Sequence, residues 1–126
     1  MIWIARLLAG AVALLFIATG LRFMLAPADM SMQFFVRADG AAGLSTLRGD
    51  LGGAFVGLGT LVLIGLRRGY QELLLAVVLV LVAIIVGRLI GYVVDGVELE
   101  AVRSAVVEVV LIAMLLAARS LLRRAA

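Results

Sequence analysis

Glu108 is the side chain with most potential for chemistry, because it lies inside the apolar run AVVEVVLIAMLLAA. A charged group at the centre of a membrane helix costs about 2.5–3.5 kcal/mol on insertion scales, so this carboxylate must be neutral, paired or hydrated. At a rise of about 1.5 Å per residue, Glu108 lies roughly 12 Å below Glu100, and Arg88 is the nearest cation by depth on a neighbouring segment. The sequence therefore predicts a contact between Arg88 and Glu108.

Other polar residues are expected to join this pair. Asp50 and Asp95 each share a helix face with glycines, so we expect their carboxylates to point into the protein rather than into lipid. Ser104 lies one turn from Glu108 and offers a hydroxyl donor. The predicted cluster, in the outer half of the protein, consists of Arg22, Arg48, Asp50, Arg88, Asp95, Ser104 and Glu108.

Two interpretations of this cluster stay open. The ions would either neutralise one another and fix the register of the helices, or line a small polar cavity that opens to the periplasm. Such a cavity would bind a lipid headgroup, an anion or the polar end of a lipophilic molecule such as a quinone. A proton relay through Glu108 is a weaker alternative, because a single carboxylate does not make a path.

The composition excludes several classes of function. The chain has no cysteine and no histidine, which removes disulfides, thiol nucleophiles, imidazole metal ligands and Ser-His-Asp triads. We predict no metal, no cofactor and no enzymatic activity, because no pair of nucleophile and base can be named. The basic residues are all arginines at or near segment ends, without interleaved aromatics, so nucleic-acid binding is not expected.

The elements that must position these residues are membrane helices. Of the 126 residues, 66% are hydrophobic, and a span needs about 20 apolar residues. Four segments qualify, at about 4–25, 44–66, 71–94 and 101–122. Because the connections are short, we predict an all-α, integral membrane, four-helix antiparallel bundle that forms one domain over residues 1–126.

The first segment has an alternative interpretation as a signal peptide, with Ala26-Pro27-Ala28 imitating a cleavage site. Pro27 inside that site and Arg22 before it favour a retained helix. Gly40 and Gly43 are expected to act as breakers in the connection that follows. Within that connection, a short segment at about 29–37 is predicted to lie at the membrane interface, where anchoring is favoured over a gating lid.

The arginines set the expected orientation. Arg6, the Arg67-Arg68 turn and the arginines of the C-terminal segment share one side, whereas most acidic residues lie on the other. The positive-inside rule then predicts cytoplasmic N and C termini in a bacterial inner membrane. The same arginine pattern gives a weak similarity between the two halves of the chain, as in an internal repeat. The positive-inside rule alone would produce most of this similarity.

Glycines recur every four residues in two segments. Gly49, Gly53 and Gly57 form one series, and Gly87 and Gly91 form another. This spacing lines one helix face with small residues and lets two backbones approach closely. The predicted helix-packing residues are Gly49, Gly52, Gly53, Gly57, Gly87 and Gly91.

Three parts of the chain resemble a known family. They are LRGDLGGAF at 47–55, GRLIGYVVDG at 87–96 and the late Glu108. These motifs resemble the small bacterial four-helix membrane proteins called domain of unknown function 4345, which are similar in layout to DoxX-like proteins. The resemblance implies an inner-membrane protein without an established activity. Its characteristic positions match Arg48, Gly52, Gly53, Arg88, Gly91, Asp95 and Glu108.

The functional expectation is a small non-enzymatic membrane protein, an accessory or interaction subunit whose polar cluster holds lipid. The alternative is a carrier or binder of a small anionic or lipophilic compound. The expected partners are membrane lipids, a second copy or a larger membrane complex, and a small lipophilic or anionic ligand.

Overall fold

The computed structural model describes residues 1–125 and is all-α within them. Four of its helices are long and apolar enough to cross a membrane. The five helices are α1 (Ile2–Leu25), α2 (Pro27–Gln33), α3 (Gly40–Gly65), α4 (Glu72–Val94) and α5 (Leu99–Arg124). A long apolar helix is therefore present at each of the four expected spans, within a few residues of its predicted limits.

The expectation that Gly40 and Gly43 are breakers is wrong for Gly43, which lies in the first turn of α3, whereas Gly40 has a positive φ of 57° where the connection meets the helix. Asp39 is extended and precedes the first turn, where its carbonyl accepts a hydrogen bond from the Gly43 amide at 3.0 Å. Glycine suits position 40 because it adopts a positive φ without the steric clash of a Cβ atom. Residues Leu47–Gly52 of α3 are π-helical.

The helices form a ring in which α1 packs against α3 and α5, and α4 packs against the same two helices. We call the half with both termini and the α3–α4 turn proximal, since Ile2, Arg68 and Leu122 line one pocket there. The other half, with α2 and the α4–α5 link, is distal.

Close contact between α1 and α3 depends on three glycines. A methyl group at Gly20 would meet the Gly52 carbonyl at 2.7 Å, and one at Gly59 would meet the Ala13 carbonyl at 2.9 Å. On the proximal part of α1, Ala5, Ala9 and Ala13 are fully buried. Small side chains at these positions let the backbones approach.

The core is divided between the two halves. The proximal core contains buried residues from all four long helices, whereas the distal core is formed by Phe23, Met30 and Leu47 of α1, α2 and α3. In α4 no buried residue follows Leu81, and in α5 none precedes Leu111. The distal halves of α4 and α5 are therefore accessible to surrounding lipid or water.

The short helix α2 lies across the distal ends of α1 and α3. Met30 and Ser31 are buried, and the Phe34 ring packs edge-on against Phe23 at a centroid distance of 4.9 Å. Phe35 points outward and is 78% exposed. A helix therefore occupies part of the predicted segment at 29–37, and its role as anchor or lid stays a prediction.

Candidate functional site

Arg88 and Glu108 form a bidentate ion pair between α4 and α5. Arg88 Nε lies 2.9 Å from Oε1 and 3.0 Å from Oε2 of Glu108, and Nη2 lies 2.8 Å from Oε1. The Arg88 side chain is 32% exposed and that of Glu108 is 12% exposed. The contact expected between these two residues is present, and it explains how a carboxylate can lie among apolar side chains.

The pair continues the faces that form the proximal core. Arg88 follows the buried Leu81 by seven residues, and Glu108 precedes the buried Leu111 by three. These intervals keep each side chain on the core-facing side of its helix. The ion pair thus lies where the apolar core ends, on a face that α1 and α3 no longer cover.

Part of the Arg88 guanidinium is unused. It carries five N–H donors, and Glu108 takes the Nε–H and one Nη2–H, which leaves three. Within residues 1–125, Nη1 makes no hydrogen bond and no ion pair. Donors in a lipid-exposed region need acceptors, so Arg88 is able to bind a phosphate, carboxylate or carbonyl oxygen.

A cleft of about 290 Å³ extends from Arg88 to the α4–α5 link. Asp95 Oδ2 lies 3.9 Å from the position of a methyl group at Gly91, so this carboxylate folds back along α4 toward the turn that holds Arg88. Nothing else lies within 4 Å of that position, which keeps the cleft open. The residues that line it are Arg88, Gly91, Tyr92, Asp95, Gly96, Glu98 and Ala101.

Tyr92 connects the two helices that form the cleft. Its hydroxyl donates a hydrogen bond of 2.7 Å to the carbonyl of Ala101, in the first turn of α5. With the ion pair one turn deeper, α4 and α5 are joined at two levels of the distal half. The cleft walls are therefore held even though the other helices do not support them.

Four members of the predicted cluster do not join this site. Arg48 and Asp50 are exposed and form no ion pair with any residue in 1–125, and Arg22 donates instead to Gln33 Oε1 at 3.3 Å. Ser104 donates to the Glu100 carbonyl at 3.1 Å rather than to Glu108. The expectation that Asp50 points into the protein is wrong, because α3 turns its Gly52 and Gly59 face toward α1 and its Asp50 face outward.

The predicted packing role of the glycines needs the same correction. Of the six glycines predicted to pack helices, only Gly52 has close neighbours, Met24 and Gly20 of α1. Added methyl groups at Gly49, Gly53, Gly57 or Gly87 would meet nothing within 4 Å, and Gly91 borders the cleft. These glycines share helix faces, as their spacing implies, but the faces do not contact other helices of this chain.

The family model described as a domain of unknown function (DUF4345) matches residues 4–119, which include all four long helices. The chain belongs to this DUF4345 family. No curated protein and no solved structure matches it. Of the positions that carry the DUF4345 resemblance, Arg88, Gly91 and Asp95 line the cleft, and Glu108 is paired with Arg88.

Besides the Tyr92 hydroxyl, sequence reasoning on this DUF4345 chain missed two polar features. At the proximal end, Glu72 Oε2 lies 2.6 Å from Arg119 Nη2, and Glu72 Oε1 lies 3.7 Å from Arg123 Nη1. The sequence could have indicated these ion pairs, because an acidic residue starts α4 and arginines end the antiparallel helix α5. Glu98 of the cleft was also missed, although its place beside Asp95 in the short link could have indicated it.

Metal binding has no obvious ligand set in the described part of the chain. No group of three or more acidic side chains there is placed to hold a metal ion. The chemistry available at the cleft is instead hydrogen bonding and ion pairing, from the Arg88 donors at its floor and two carboxylates nearer the link.

Proposed function

We propose that this protein is a non-enzymatic membrane protein that holds the polar head of a membrane amphiphile between the distal halves of α4 and α5. The observation that carries the proposal is the Arg88–Glu108 pair, which leaves three guanidinium donors on a side chain that lines an open cleft. An ion pair that served only to fix helix register would be expected to use its donors within the protein. Here more than half remain for another molecule.

The surroundings of the cleft favour an amphiphile over a water-soluble compound. Apolar side chains on the distal parts of α4 and α5 are exposed, among them Ile90, Val93 and Val106. A ligand with hydrocarbon chains would cover these side chains while its head contacts Arg88. A bare anion would gain nothing from these side chains. Of the two ligand types, lipophilic and anionic, we therefore favour a lipophilic ligand.

Two glycine variants test the proposal. Gly91→Leu fills the cleft without removing a polar group, and Gly87→Leu adds the same side chain one turn away, where space is open. After mild solubilisation, native mass spectrometry of wild-type protein and the Gly87→Leu control should show a retained amphiphile that Gly91→Leu has largely lost. Equal retention by both variants would refute binding at this cleft.

The proposed location is a bacterial inner membrane, with both termini in the cytoplasm. The support is the distribution of arginine, which is dense at the proximal end. Within residues 1–125, Glu72 is the single acidic residue at that end. Six arginines lie at or near it, namely Arg6, Arg67, Arg68, Arg119, Arg123 and Arg124. Arginine-rich ends stay on the cytoplasmic side during insertion.

A second candidate function is that of an interaction subunit. It is favoured by the outward face of α3, where Gly49, Gly53 and Gly57 leave a strip of backbone uncovered within the chain. Such strips allow close contact between membrane helices. Gly53→Leu would then lower the oligomer fraction in cross-linking of native membranes, whereas Gly87→Leu would not. If the Gly53→Leu and Gly87→Leu proteins are both monomeric, this candidate function is ruled out.

A further inference from the structure

The charges around the cleft differ at its two ends. At the floor, Arg88 presents free donors beside an already neutralised Glu108. Nearer the α4–α5 link, Asp95 and Glu98 both line the cleft, and neither carboxylate forms a hydrogen bond or an ion pair with residues 1–125. The floor therefore favours acceptor oxygens, and the mouth favours a cation.

Nearby cations do not cancel the charge at the mouth. Arg103, the closest arginine in sequence, pairs with Glu100 on the exposed side of α5. Arg88 and Glu108 cancel each other, so Asp95 and Glu98 leave the cleft with a formal charge of −2. A ligand with negative charge alone would be repelled at the mouth, and one with positive charge alone would leave the Arg88 donors without acceptors.

We infer that the cleft selects a zwitterionic phospholipid headgroup that carries a phosphate and a primary ammonium group. This inference rests on the proposed function and identifies the ligand class. The phosphate oxygens accept hydrogen bonds from Arg88 Nη1 and Nη2, because guanidinium donors match phosphate geometry. The ammonium group donates to Asp95 and Glu98 nearer the link.

The order of these groups agrees with the way a lipid lies in a bilayer. Arg88 is seven residues before Asp95 on α4, so its Cα is on the order of 10 Å deeper along the helix. In a lipid whose chains cover the exposed apolar side chains of α4 and α5, the phosphate is nearer the hydrocarbon and the amine is nearer water. The groups of the cleft have the matching order in depth, with the Arg88 donors deeper and the Asp95 and Glu98 carboxylates nearer the link.

The primary ammonium distinguishes this ligand from two common relatives. A phosphocholine headgroup has a cation without N–H donors, so it offers Asp95 and Glu98 no hydrogen bonds. A phosphoglycerol headgroup has no cation, so its neutral glycerol leaves the charge of Asp95 and Glu98 at the mouth without a counterion. We therefore expect phosphatidylethanolamine to bind at least about fivefold more tightly than phosphatidylcholine or phosphatidylglycerol with the same acyl chains.

Headgroup competition, read by native mass spectrometry of delipidated protein with equimolar lipids of identical chains, tests the inference. Wild-type protein should retain phosphatidylethanolamine, and D95N/E98Q should lose that preference while it gains affinity for phosphatidylglycerol. Gly91→Leu should lose all three lipids, with Gly87→Leu as the matched control. Soluble phosphoethanolamine at equal concentration should not displace the lipid, because it lacks chains.

The possible failures differ. If Gly91→Leu removes binding but wild-type protein prefers phosphatidylglycerol, or D95N/E98Q keeps the preference for ethanolamine, the zwitterion inference is overturned and the proposed function survives. If soluble phosphoethanolamine competes as well as the lipid, the ligand is a free phosphate–amine compound and the lipid assignment is overturned. If Gly91→Leu and Gly87→Leu retain the same lipids, both the inference and the proposed function fail.

Discussion

Arg88 contacts both carboxylate oxygens of Glu108 through Nε, at 2.9 and 3.0 Å, and thereby joins α4 to α5 where the apolar core of the bundle ends. The pair has two consequences. It neutralises a carboxylate that apolar side chains surround, and it holds Arg88 so that its remaining donors are available in the cleft. The predictions below separate these structural and binding roles.

The first prediction concerns the stability of the pair. Arg88→Leu removes the partner of Glu108 and leaves its carboxylate unsatisfied, which should lower the free energy of unfolding by about 1–3 kcal/mol. Replacing both residues, as Arg88→Leu with Glu108→Leu, should recover most of that loss because no buried charge remains. Reversible unfolding in mixed micelles measures the change. Arg103→Leu, at an exposed pair, is the control and should cost under about 1 kcal/mol.

If the double variant is as unstable as Arg88→Leu alone, the loss of stability does not come from an unpaired Glu108 carboxylate. The role of α4–α5 pairing would then rest on other contacts between these helices.

The second prediction concerns the contact between α1 and α3. Gly59→Ala places a methyl group 2.6 Å from Ile17 Cγ1 and 2.9 Å from the Ala13 carbonyl, so the helices must separate. Overpacking of this kind typically costs about 1–3 kcal/mol. Gly57→Ala, two residues away in open space, should be neutral or slightly stabilising because alanine favours helix. Thermal unfolding of the two variants side by side checks this, and equal stability would place the α1–α3 contact elsewhere.

The third prediction concerns the hydrogen bond at the top of the cleft. Tyr92→Phe removes the 2.7 Å bond to the Ala101 carbonyl and should cost about 1 kcal/mol. The distal ends of α4 and α5 should also separate more often, so backbone amides of the first α5 turn should exchange hydrogen faster. Tyr70→Phe, on an exposed residue of the α3–α4 turn, provides the control. Unchanged exchange in Tyr92→Phe would show that the cleft walls are held by other contacts.

The fourth prediction concerns orientation. Because the chain has no native cysteine, single cysteines can be introduced without background, at Val97 in the α4–α5 link and at Ala125 near the C terminus. A membrane-impermeant maleimide applied to intact spheroplasts should label Val97→Cys and spare Ala125→Cys until the membrane is opened. The reverse pattern would place the proximal arginines outside and contradict the proposed topology.

Much of the fold follows from the sequence because the bilayer limits the choices. Continuous apolar runs, the single proline and the short Arg67-Arg68 turn indicate four spans, and each begins or ends within a few residues of the expected position. The start of α3 lies before the expected residue 44 because a glycine such as Gly43 is compatible with a first helical turn as well as with a loop. Composition alone does not decide between them.

The site was predictable only where depth decides partners. Arg88 and Glu108 could be paired because an isolated charge in an apolar helix needs a partner and few were available. The assignment of Asp50 to the cluster failed because a four-residue glycine spacing defines a helix face without showing which neighbour it meets. In α3 the face toward α1 is that of Gly52 and Gly59, and this depends on tertiary packing that the local pattern does not encode.

The most direct test of the central claim is an experimental density map of the protein in lipid nanodiscs that contain phosphatidylethanolamine. We predict a headgroup in the cleft, with a phosphate oxygen about 2.8–3.0 Å from Arg88 Nη1 or Nη2 while the Glu108 pair stays intact. A cleft that holds only ordered water, or that closes so that the free Arg88 donors bind protein groups, would contradict the account.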